Sequence, residues 1–278
     1  MTALFHPNAT SNAAVSAFGP RRAWVASACR IVIFAIALTH LPAFGERAPL
    51  QSGTSMASSS FSVSGPQASL DQAIAADDAG AIAQALSAGA QVNARGPKDV
   101  TPLMVAVDRQ KLRAVQALLQ AGADTKPVAI DGASAVSLAV ENYKAQPAGD
   151  AIMQALFKAG ADPNTIRPNG DPVIMKFVRA HDCDALRLMK SFGANLDIRD
   201  RTDDPIITKA AVAMNWDVVW CLMELGARFD YENGGASDPL SLSLANKAPS
   251  RSSPIFQYKE KVWQRLHDKG IALKPLVG

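Results

Sequence analysis

The sequence predicts an all-α solenoid of helix–turn–helix units, about six in number, the terminal ones irregular. Three observations carry this. A glycine closes an apolar helical pattern at Gly89, Gly122, Gly160, Gly193, Gly226 and Gly270, in steps of 33, 38, 33, 33 and 44 residues. A second marker keeps the same beat. Thr101, Ser134, Pro172, Pro205 and Asp238 lie 33, 38, 33 and 33 residues apart, so the 38 is one unit with five residues inserted. Composition agrees: 48% of residues are hydrophobic but only 6% aromatic, and small apolar side chains suit close-packed short helices better than a sandwich or barrel.

In chain order, residues 1–45 read as an export signal. Arg21, Arg22 and Arg30 precede the apolar run Ile31–Leu38, and Ala43-Phe44-Gly45 supplies small residues at a cleavage site. The run is shorter than the about 20 residues a membrane-spanning helix needs; an uncleaved N-terminal anchor is the alternative. Pro20-Arg21-Arg22-Ala23-Trp24-Val25 resembles a twin-arginine export pattern, although two charges of a general secretory signal are the preferred reading. Ala26-Ser27-Ala28-Cys29 looks like a lipoprotein box, but the apolar stretch follows Cys29 instead of preceding it. Residues 46–67 are rich in Ser, Gly and Pro and are expected to form a flexible linker. The folded domain is expected over residues 68–278.

One unit shows how its elements arise. Thr101 can cap a free amide and Pro102 suits the first helical position. Leu103, Met104, Ala106 and Val107 form a short apolar helix, and the polar stretch Asp108–Lys111 breaks it. Leu112, Ala114, Val115, Leu118 and Leu119 recur at helical spacing as a second helix. Gly122 ends it, and Asp131-Gly132 turns the following polar excursion back toward Ser134. By the same pattern Asp171-Pro172, Asp204-Pro205 and Asp238-Pro239 are expected to start first helices. Second helices are expected over Ala79–Leu86, Asp150–Phe157, Cys183–Lys190 and Trp216–Met223. The third unit's insertion falls at Tyr143–Gly149. The last unit carries a proline-broken stretch, Lys247–Pro254, before a helix from Tyr258 to Lys269 that faces Val262, Trp263 and Leu266 inward. The first unit, from Ser69, is too Ala-rich for an interior repeat and fits an end cap.

Thr101-Pro102-Leu103-Met104-Val105-Ala106 and Leu118-Leu119-Gln120-Ala121-Gly122-Ala123-Asp124 closely resemble the ankyrin repeat, and Gly193–Asp200 looks like that family's finger loop. The resemblance covers about residues 68–278. It implies a curved stack of helix pairs whose fingers and first helices form a concave protein-binding face. Ser134-Ala135 in place of Thr-Pro, and Pro172 and Pro205 one place early, depart from the pattern.

Chemistry has few candidates. After the export segment only His181 and His267 remain, in different units, and no Cys/His spacing assembles the ligands zinc requires. No nucleophile elbow or phosphate loop occurs. No cofactor, metal or small-molecule substrate is expected. From Glu46 onward 25 basic residues balance 25 acidic ones, without a basic run, which argues against nucleic acid as partner. Cys183 and Cys221 fall on the inward stripe of second helices in adjacent units. Stacking at about 10 Å plus a five-residue axial offset puts them beyond disulfide reach, so both thiols are expected to stay reduced. Trp216 takes the core register that Leu112 holds. Trp220 takes the outward register of Gln116, Gln154 and Arg187, and is expected to lie under the last unit's Ile255, Phe256 and Tyr258.

The expected function is non-catalytic protein binding after export, in a bacterial periplasm or cell envelope, with membrane contact only through an uncleaved N-terminal segment. The candidate contacts are the finger residues Lys98, Asp99, Ile130, Asp131, Arg167, Asn169, Asp200, Arg201, Glu232 and Asn233. Two uses stay open, an immunity-type binder that neutralises a toxic secreted enzyme and a factor that assembles or protects another exported protein. The alternative from a different class is a hydrolase with its site at Glu260, Arg265 and His267 in the irregular last unit.

Overall fold

The computed structural model describes residues 64–229, 243–245, 250–271, 273 and 276. The chain separates into Met1–Gln51 and Ser52–Gly278, and every described residue belongs to the second unit. The export segment, residues 46–63 of the linker, Asp238-Pro239, Glu232 and Asn233 lie outside the described residues.

Among the described residues the regular structure is helical. The helices are α1 (Pro66–Ala76), α2 (Ala79–Ser87), α3 (Pro102–Asp108), α4 (Leu112–Gln120), α5 (Ala135–Asn142), α6 (Gly149–Lys158), α7 (Met175–Arg179), α8 (Cys183–Ser191), α9 (Ile206–Val212), α10 (Trp216–Glu224) and α11 (Pro254–Asp268). They pack as consecutive pairs, α1 with α2 through α9 with α10, and α11 packs on α10. First helices meet first helices (α1 on α3, α3 on α5, α7 on α9), and second helices meet second helices (α2 on α4, α4 on α6, α8 on α10). The core lies between the two rows, where Leu70, Ile82, Leu103, Leu118, Ile152, Leu156, Phe177 and Trp216 are fully buried. No described helix is long and apolar enough to cross a membrane.

The predicted second helices lie within one residue of their expected bounds at each end. Each closes on a glycine with positive φ, at Gly89, Gly122, Gly160, Gly193 and Gly226, a backbone region that costs a side chain about 1–2 kcal/mol. A second left-handed position recurs between the helices of a pair, at Asp77, Gln110, Lys144, His181 and Met214. Thr101 accepts the Met104 amide at 3.3 Å, and Ser134 forms a reciprocal capping box with Ser137.

Four expectations need correction. Helix α1 begins at Pro66, two residues before the expected domain start, and the Gln67 side chain accepts the Gln91 amide there. Asp171-Pro172 and Asp204-Pro205 do not start helices. Pro172 and Pro205 occupy the position of Thr101 and Ser134, where proline offers no side-chain oxygen to cap with. They pair instead in isolated β-bridges with Ile166 and Arg199; α9 then starts at Ile206, and α7 begins only at Met175 and spans five residues. Helix α11 starts at Pro254, four residues before Tyr258, because Ser253 caps it and Pro254 takes the tolerated first position.

The fourth correction is the largest. Cys183 and Cys221 form a disulfide with a Cα–Cα distance of 6.0 Å. The contrary expectation added the distance between helix axes to an axial offset. Facing Cα atoms are nearer than the axes by two helix radii, about 4.6 Å, and the start of α8 lies beside the middle of α10, which removes the offset.

The inserted turn sits where expected, between α5 and α6, and side chains close the junction it makes with the next pair. Tyr143 packs edge-on against Phe177 (centroids 5.2 Å apart), and Phe157 meets Phe192 at 5.4 Å. Lys144 Nζ donates to both Asp182 oxygens, at 2.8 and 3.0 Å. Lys176 Nζ donates to the carbonyls of Val140 and Glu141 at 2.6 and 2.5 Å, a cation on the carbonyls of the last turn of α5. Gly149 allows the chain to re-enter α6, since a Cβ there would overlap the Asn142 carbonyl oxygen. Gly149→Ala is expected to cost about 1–3 kcal/mol by overpacking, read as a lower urea midpoint with unchanged slope. An unchanged midpoint would show that this turn yields freely.

Candidate protein-binding surface

Three finger turns share one register. Bridges Val128↔Ser134, Ile166↔Pro172 and Arg199↔Pro205 close them. At the first two tips an Asx side chain accepts the amide two residues on, Asp131 from Ala133 and Asn169 from Asp171, each at 3.0 Å. At the third, Asp200 accepts the Thr202 amide at 2.9 Å. An earlier turn, Pro97–Asp99, joins the row when the Lys98 carbonyl accepts the Ile130 amide at 2.9 Å. Successive tips touch. A Cβ on Gly132 would run into the Pro168 ring, and one on Gly170 into Arg201. The tips therefore form one continuous, backbone-supported edge.

Seen against this edge, the candidate contacts divide. Lys98, Asp99, Asp131 and Arg201 are exposed, and Ile130 is 76% exposed. Asn169 is exposed at its tip while its oxygen holds the turn. Arg167 is drawn inward to Glu141 at 2.5 Å. Asp200 is almost enclosed, with its side chain 7% exposed, and binds Thr202, the Asp204 amide and Lys209. Glu232 and Asn233 lie outside the described residues.

The sequence reading missed two apolar finger residues, Val128 and Ile166, each 51% exposed at the same register position. Residues of one column 38 apart could have revealed them. It also missed the polar lattice between fingers and first helices. Asp171 holds Arg179 at 2.7 Å and faces Arg201 at 3.9 Å, and Lys209 reaches Asp204 at 2.7 Å and Asp200 at 3.2 Å. Burial pushes the Lys176 ammonium below the ordinary lysine value despite Glu141 beside it. A hollow of about 250 Å³ lined by Asp171, Arg179, Asp200, Arg201 and Lys209 marks where this lattice opens to solvent.

Asp200 carries a measurable consequence. Burial raises its pKa, but the Thr202 hydroxyl and amide, Lys209 and the Asp204 amide outweigh that and bring it down to about 2. A depressed carboxyl pKa stabilises the fold above its unfolded value of 3.8, and that contribution fades as pH falls through 3.8 toward about 2. Asp200→Asn is expected to cost about 2 kcal/mol at neutral pH and to flatten the stability profile over that acid window in urea titrations. A variant with an unchanged acid profile would contradict this placement.

On the opposite side, the inter-helix turns reach into the next pair. Asp77 accepts the Ala114 amide at 2.8 Å, and His181 Nδ1 lies 2.9 Å from both Asp217 oxygens. His181 is thus tied to a neighbouring helix. The Glu260, Arg265 and His267 trio is not gathered: Arg265 pairs with Glu224 at 2.6 Å, and His267 stacks on Trp263. No group of three or more His, Cys, Asp or Glu that could hold a metal occurs among the described residues.

Stacked helix pairs with joined fingertip turns define the class, an all-helical protein built of paired helices. Residues 98–129, from the first tip through α3 and α4 to the next finger, match the family model of the ankyrin repeat. The chain thus contains an ankyrin repeat, which is a protein–protein interaction module. No curated protein matches the chain.

Proposed function

We propose that residues 66–278 form one array of about six ankyrin repeats that binds a protein partner through its fingertips and first helices, in the periplasm or cell envelope. The observation that carries this reading is the continuous fingertip edge. Exposed Val128, Ile130 and Ile166 offer apolar area at its centre, and Lys98, Asp99, Asp131 and Arg201 flank them. An apolar centre with a charged rim is the usual anatomy of a protein interface. The Cys183–Cys221 bridge supports an oxidising compartment, where such bonds persist, in keeping with the export signal read in residues 1–45. Within this reading the partner is a toxic secreted enzyme to be neutralised or an exported protein to be assembled.

The test is affinity capture with the full chain from the envelope fraction of its own host. It is run beside an Ile130→Asp, Arg201→Glu variant, whose changes lie on exposed tips. A partner held by the wild type and lost by the variant is expected. One held equally by both would overturn the fingertip reading.

A further inference from the structure

A cleft opens between α10 and α11 at the C-terminal end, on residues the fingertip edge does not use. Its volume is about 910 Å³, within the range of about 300–1,000 Å³ typical of ligand clefts. Trp220, Met223, Phe229 and Ile271 supply its apolar lining, and Lys261 and Lys269 stand at its edge with Arg228, Arg265 and Asp268.

The cations are held in place by rings. The Arg265 guanidinium lies 4.3 Å from the Trp220 centroid, and Lys269 Nζ lies 5.0 Å from that of Phe229. Lys261 Nζ is 5.8 Å from Trp220 and 5.1 Å from Tyr258. Arg265 is also paired with Glu224. Lys261 and Lys269 have no carboxylate partner among the described residues, and both are exposed. Ring faces orient an ammonium group without neutralising it, so both lysines can still accept an anionic partner.

We infer that this cleft docks an acidic segment of a partner protein that also carries an aliphatic side chain. Carboxylates would meet Lys261 and Lys269, and the aliphatic group would cover Met223 and Ile271. The recess admits an extended chain, whereas a flat anionic bilayer would not reach its floor. The cations occupy the positions over the rings where a nucleic-acid base would stack. The site is separate from the fingertip edge, and the two readings can fail independently.

The probe is a short fluorescein-labelled peptide of repeated Glu-Glu-Leu, followed by anisotropy against the full chain at low salt. Binding is expected, about tenfold weaker for Lys261→Glu with Lys269→Glu and for a Gln-Gln-Leu peptide. The Ile130→Asp, Arg201→Glu variant is expected to bind as the wild type does. Since both lysines are exposed, the variants should keep the wild-type melting curve; Lys261→Gln with Lys269→Gln gives a milder second pair. Failure of the peptide to bind, or equal binding by the charge-reversed variant, would overturn the inference. So would retention of the chain on phosphatidylglycerol vesicles, through the same lysines, without peptide binding. A tenfold gain in peptide affinity on changing Asp230, Glu232 and Asp238 to Asn would also overturn it, in favour of the chain's own acidic segment as occupant.

Discussion

Reducing the Cys183–Cys221 bridge is expected to lower the unfolding free energy by about 4 kcal/mol. The bridge closes a sequence separation of 38 residues. By the chain-entropy argument that lies between the about 3 kcal/mol of a 15-residue loop and the about 4.7 kcal/mol of a 100-residue one. The bond ties the first residue of α8 to the middle of α10, so it clamps two neighbouring helix pairs. In a stack of helix pairs each pair is supported mainly by its neighbours, and reduction should loosen the α8–α10 contact before the α1–α4 end. Urea unfolding with and without a phosphine reductant reads the effect. The Cys183→Ala, Cys221→Ala pair should match the reduced wild type and ignore reductant. A wild type indifferent to reductant, with two free thiols by mass spectrometry, would contradict the bridge.

Trp216→Ala is expected to cost about 3–5 kcal/mol. Trp216 opens α10, is 1% exposed and is among the largest fully buried side chains. Lys259 of α11, itself 1% exposed, places its ammonium 5.7 Å from the indole centroid. Burial alone pushes the pKa of that lysine down. Removing the indole therefore opens a cavity and takes away the ring that faces a buried cation. Trp216→Phe should recover part of the loss. Trp220→Ala should cost clearly less, because Trp220 is only half-buried, with Lys261 and Arg265 over its ring. Equal losses at the two tryptophans would contradict the register that separates them.

That register was legible in the sequence because it is local. A glycine that must take positive φ closes each second helix, and at Thr101 and Ser134 a hydroxyl caps the helix that follows. The second helices follow from those marks to within a residue. The same counting puts Trp216 in the core and Trp220 beneath the last unit, where Lys261 and Arg265 of α11 lie over its ring. Relations between units were not legible. The period fixes position along a helix but not the stagger of one helix on the next, so the cysteines were set too far apart. Arg167 and Asp200 looked like free finger residues, yet their partners Glu141 and Lys209 sit on first helices, and only the folded packing brings them together. His181 and Asp217, 36 residues apart, met for the same reason.

That the fingertip edge recognises a protein is a claim that titration of the captured partner can test. Calorimetry would compare the wild-type full chain with the Ile130→Asp, Arg201→Glu variant. Loss of an apolar anchor together with reversal of a rim charge is expected to weaken binding at least about tenfold, since interface energy concentrates in a few central residues. Identical affinities for the two proteins would contradict the claim.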